Sequence, residues 1–82
     1  MKVNMTSEVK NLVDTLIDRL GLKKYQLTVG TAYGVYMIDL PATSLHKDQM
    51  IQLCQLLPAG SSIGAFSNHG NGLVIRTPFQ AQ

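Results

Sequence analysis

The sequence has no tryptophan and a single cysteine, Cys54, and only 15% of its 82 residues are Asp, Glu, Lys or Arg. Each shortage excludes something. A lone cysteine cannot close an internal disulfide, so a disulfide-stapled scaffold is ruled out and a reducing, cytoplasmic setting is expected. Cys54, His46 and His69 show no paired CxxC or HxxxH spacing, so neither a zinc site nor a cofactor is expected. No apolar run approaches the roughly 20 residues of a membrane span. The longest, Val35 to Ile38, stops at Asp39. The first residues, MKVNMTSEVK, lack the apolar stretch and cleavage site of a secretory leader, so none is expected.

Charge is also unevenly placed. Lys2, Glu8, Lys10, Asp14, Asp18, Arg19, Lys23 and Lys24 crowd the start of the chain, leaving Asp39, Lys47, Asp48 and Arg76 for the rest. The net charge of +2 lacks the Lys/Arg clustering of a protein that tracks a phosphate backbone.

What is present is a chain 45% hydrophobic, too apolar for intrinsic disorder. The length fits one domain and excludes kinases, glycosylases, Rossmann dehydrogenases and barrels. Thr6 and Ser7 can cap a helix, and Val9, Leu12, Val13, Leu16, Ile17 and Leu20 then recur on one helical face up to Gly21. That predicts a helix over 7–20. Tyr25, Leu27 and Val29 alternate with polar residues, and Val35 to Leu40 follows before Pro41. This pattern predicts a hairpin over 25–40 with its turn in Gly30 to Gly34.

Thr43 or Ser44 can cap a second helix over 44–56, stopped by Pro58. Spacing at 100° puts His46, Met50, Leu53, Cys54 and Leu57 inward, and Gln49, Gln52 and Gln55 outward. Residues 62–77 predict a second hairpin around the Gly- and Asn-rich stretch from Asn68 to Gly72. The order αββαββ predicts a two-layer α+β domain, a four-stranded antiparallel sheet with two helices on one face. Right-handed connections favour the spatial strand order third, fourth, second, first, a circular permutation of the ferredoxin-like plan. A meander is the alternative.

No catalytic constellation emerges, and a non-enzymatic role is expected. Cys54 lies on an apolar helical stripe, where free cysteines are ordinary core residues. Asp14 and Asp18 share a helix face beside Lys10 and Arg19, the setting of solvated carboxylates. The glycines at 70 and 72 precede a strand rather than a helix, so they form no phosphate-binding loop.

The sheet carries the stronger signal. If Leu27, Val29, Ile38, Leu40, Ile63, Leu73 and Ile75 face the helices, Gln26, Thr28, Val35, Met37, Asp39, Gly64, Phe66, Val74 and Arg76 face away. Val35, Met37, Phe66, Val74 and Arg76 would then form an apolar patch with one cation, and such patches mark interaction surfaces. Gln49, Gln52, Gln55 and His69 are secondary candidates. The expectation is a protein-binding, regulatory module, homodimeric or directed at a larger target. Its size and charge suit an accessory inhibitor of the kind phages or mobile elements carry. The alternative is a single-stranded nucleic-acid binder that stacks bases on Phe66 and nearby tyrosines. It is ranked lower because no Lys/Arg cluster borders the face. The C-terminal residues Pro78 to Gln82 could cover part of the patch.

Overall fold

A computed structural model describes residues 5–41, 45–66 and 72–81, with Pro41, Ala65 and Phe66 described as backbone alone. Helix α1 spans Ser7–Leu20. Thr6 stands extended before it, and its hydroxyl oxygen accepts from the Val9 amide at 3.4 Å. Gly21, left-handed at φ 66°, ends the helix. The Leu22 amide then donates back to Ile17 at 3.1 Å, and Leu22 folds under the last turn, where it is buried. Val9, Leu12, Val13, Leu16 and Leu20 form the buried stripe, as their spacing predicts.

The first departure follows at once. Lys24–Gln26 is a turn of 3₁₀-helix, not the start of a strand. Gln26 closes it locally: its side-chain oxygen accepts from the Lys23 amide at 2.8 Å, and its own amide donates to the Lys23 carbonyl at 3.0 Å. Tyr25 is consequently 84% exposed. Strand β1 is Thr28–Ala32 and β2 is Val35–Pro41. Their turn is only Tyr33-Gly34, both at positive φ (55° and 77°), so Gly30 lies inside β1 rather than in a loop. Two consecutive left-handed residues give the twist that a two-residue hairpin needs, and glycine adopts that conformation without steric cost.

Helix α2 spans Lys47–Leu56, with His46 exposed at its N-cap and residues 42–44 outside the described residues. The side-chain oxygen of Gln49 accepts from the His46 amide at 2.7 Å, and its NH₂ donates to the Leu20 carbonyl at 2.6 Å. That second bond satisfies a carbonyl left open at the end of α1. It also rotates α2 relative to the sequence expectation. Leu53 is fully buried and Leu56 packs against the core, while Cys54 and His46, both expected inward, are exposed. Apolar residues from Met50 to Leu56 span more than half of the helix circumference, so spacing alone did not choose the inward face, and the Gln49 bond goes with the one observed.

Strands β3 (Ser62–Phe66) and β4 (Gly72–Gln80) complete an antiparallel sheet ordered β1-β2-β4-β3. The edge strands, TVGTA and SIGAF, carry no charged residue. Strand β4 runs past Thr77, where the second hairpin was expected to end. Between the pairs Met37↔Arg76 and Val35↔Gln80 the register shifts, so Tyr36 alone stands opposite Thr77, Pro78 and Phe79. Pro78 has no N–H for a ladder, and a bulge is where a central strand tolerates it. Thr77, 1% exposed, stitches the bulge: its hydroxyl donates to the Tyr36 carbonyl at 2.8 Å and accepts from the Phe79 amide at 3.3 Å.

Tyr36, Ile38, Leu40 and Ile75 meet the α1 stripe and Leu53 in one core, so both helices cover the same face of the sheet. Ile63, expected inward, sits on edge strand β3 and stays 36% exposed.

Candidate binding face

Antiparallel pairing sorts the opposite face of the sheet into rows. Tyr36, Ile38 and Leu40 point to the helices, as do Ile75 and Thr77, so Val35, Met37, Asp39, Val74 and Arg76 point away. One row reads Thr28, Asp39, Val74, Gly64, and the next reads Gly30, Met37, Arg76, Ser62. Small residues occupy the edges and larger ones the centre. Among the described residues no helix covers this face.

Tyr33 extends the face beyond its strands. The turn leaves it 84% exposed, and the Arg76 guanidinium lies 5.7 Å from its ring centroid. At that distance the π-face attracts the cation, and Arg76 remains exposed. Tyr33, Met37, Ser62, Gly64, Val74 and Arg76 line a shallow recess of about 330 Å³. Asp39 lies one row from Arg76, and partial burial pushes its carboxyl above the ordinary 3.8 by penalising the charged form.

Of the residues singled out from sequence, the structure brings Val35, Met37, Val74 and Arg76 together on this face. Phe66 pairs with Gly72 through its backbone, and its side chain lies outside the description, as does all of His69. Gln49 is spent between the helices, and Gln52 and Gln55 belong to the helical layer. The segment from Pro78 to Gln80 does not fold over the patch. It continues β4, and Phe79 packs into the core.

Sequence reasoning missed Tyr33 as a site residue, because a five-residue loop was expected where a two-residue turn stands. The signal was its place immediately before Gly34. Asp39 was read as outward but not as a member of the site. Among the described residues no three His, Cys, Asp or Glu side chains group to hold a metal, and no helix is long and apolar enough to cross a membrane. No protein-family model, curated protein or solved structure matches the chain.

Proposed function

We propose that this chain is a non-enzymatic protein-binding module with a regulatory role, acting through the open face of its sheet. One observation carries the reading. A sheet face free of covering helices would ordinarily be polar, yet here Met37 and Val74 stand at its centre beside Asp39 and Arg76, with Val35 next along β2 toward the turn. The interior of protein interfaces is depleted in charge and enriched in aromatic residues, Met and Arg. Met37, Arg76 and the projecting Tyr33 fit that composition. Single-stranded nucleic acid fits less well, because the outward strand positions hold one cation, Arg76, and one carboxylate, Asp39. A face of zero net charge lacks the electrostatic term that dominates non-specific nucleic-acid affinity.

The test compares wild type with Met37→Lys/Val74→Glu as bait in host lysate, with and without nuclease. Each captured protein is then purified and titrated by calorimetry. A partner that binds wild type and loses the double variant supports the reading. Identical capture by both baits sinks it. An oligonucleotide anisotropy change that weakens steeply with salt would favour the nucleic-acid alternative.

A further inference from the structure

The four central side chains of the open face form a rectangle with two kinds of diagonal. Met37 stands beside Arg76, and Asp39 beside Val74. One diagonal, Met37 to Val74, is therefore apolar. The other, Asp39 to Arg76, is charged, with opposite signs at its two ends. We infer that the partner of this face is a second copy of the chain, related by a two-fold axis along the apolar diagonal. This rests on the protein-binding reading above.

The symmetry argument singles out that axis. A half-turn about the strand direction sets Met37 over Arg76 and Asp39 over Val74 of the other copy, and buries both charges against apolar groups. A half-turn perpendicular to the strands does the same with Met37 over Asp39. Only the half-turn about the apolar diagonal lays Met37 on Met37 and Val74 on Val74. It also brings Asp39 of each copy to Arg76 of the other, twice, as a self-complementary interface requires. Burying one charge without its counterpart is costly, and a half-turn about the charged diagonal lays Asp39 on Asp39 and Arg76 on Arg76, so this arrangement wins over the other three. Arg76 suits the role, since it is exposed on this face beside the Tyr33 ring and a guanidinium pairs well with a carboxylate.

The geometry also sets the docking angle. With strands about 4.8 Å apart and two residues spanning about 6.7 Å, the diagonal lies about 35° from the strand direction, so the strands of two copies cross at about 70°. That lies nearer the orthogonal class of sheet packing than the aligned one. Four strands by five residues project only about 300 Å². Even allowing for the relief of its side chains, such a face is smaller than the roughly 800 Å² per partner of a standard interface, so the dimer is a weak one.

The experiment uses charge reversal and sedimentation equilibrium up to about 1 mM chain. Wild type dimerises. Asp39→Arg and Arg76→Asp, each alone, set like charges against one another twice and are monomeric. Mixed together, the two variants form a heterodimer, because every facing pair is then of opposite sign. Circular dichroism confirms that each is folded. Should a reversal fail to fold, the milder Asp39→Asn and Arg76→Gln each weaken the dimer about tenfold. A wild type still monomeric at the highest concentration overturns the inference but leaves binding to a different protein standing. That reading falls only by its own capture test. A dimer that survives the reversals, or folded variants that fail to associate on mixing, also overturns it.

Discussion

Thr77 should be the most informative single position for stability. Its hydroxyl is the only side-chain group bonded on both sides of the β4 bulge, donating to the Tyr36 carbonyl and accepting from the Phe79 amide among the described residues. Replacing Thr77 by Val keeps the shape and deletes both bonds. A net hydrogen bond contributes about 0.5–1.5 kcal/mol, and a buried polar group deprived of its partner costs about 1–3 kcal/mol. The expected loss is about 2–3 kcal/mol, a large share of the roughly 4–12 kcal/mol total for a domain this long. Thr77→Ser keeps the hydroxyl and deletes one buried methyl, costing about 1 kcal/mol. Urea unfolding followed by far-ultraviolet circular dichroism measures both, with the slope expected to be unchanged. In a thermal melt the Val variant should fall by about 10–20 °C. If Val proves as stable as wild type, or more stable than Ser, the hydroxyl does not hold the bulge and the reasoning fails.

Four further outcomes follow from the fold. Leu53→Ala should cost about 2–5 kcal/mol in urea unfolding, because Leu53 is wholly buried. Its neighbour Cys54, exposed on the same helix, should react fully with a thiol reagent in the native state, and Cys54→Ala should change stability by less than about 0.5 kcal/mol. Gly34→Ala should cost about 1–2 kcal/mol, since Gly34 is held at φ 77°. The carboxyl of Asp39 titrates above its ordinary 3.8 because burial disfavours its charge. Just above 3.8 the native state therefore holds more protons than the unfolded one, and this group's contribution falls as pH rises through its raised folded value. Asp39→Asn should thus gain stability relative to wild type between about pH 3 and pH 7, measured at concentrations where the chain is monomeric.

Helix α1 was legible because its apolar stripe, hydroxyl cap and terminal glycine all agree, each set by neighbours within one or two turns. The four-stranded antiparallel sheet with helices on one face was legible from alternation and connection rules. Strand ends were not. Tyr25 alternates correctly with Leu27, yet Gln26 diverts the backbone into a 3₁₀ turn through its own side chain, and periodicity carries no trace of that bond. The face of α2 was misjudged at Cys54 because Gln49 reaches across to Leu20, a contact between residues far apart in the chain. The outward placement of Val35, Met37, Val74 and Arg76 was legible, since inward and outward positions in β2 and β4 follow from a period of two. Tyr33 did not, because its exposure comes from turn geometry rather than pattern.

The unequal charge of the two layers has a consequence for where the proposed pairing of two copies would stop. Glu8, Lys10, Asp14, Asp18 and Arg19 are exposed on α1, and Lys47 and Asp48 on α2, all on the side away from the open sheet. Stacking two copies sheet to sheet gives four layers, helix, sheet, sheet, helix, with both outer surfaces hydrated and charged. Such a stack offers no third copy a face to dock on, and it terminates at two. The uncharged edges of β1 and β3 have no such stop, since strand addition there regenerates an edge each time. Crossing the strands of the two copies steeply sets the neighbouring edges out of line, which hinders a sheet from running on from one copy into the next.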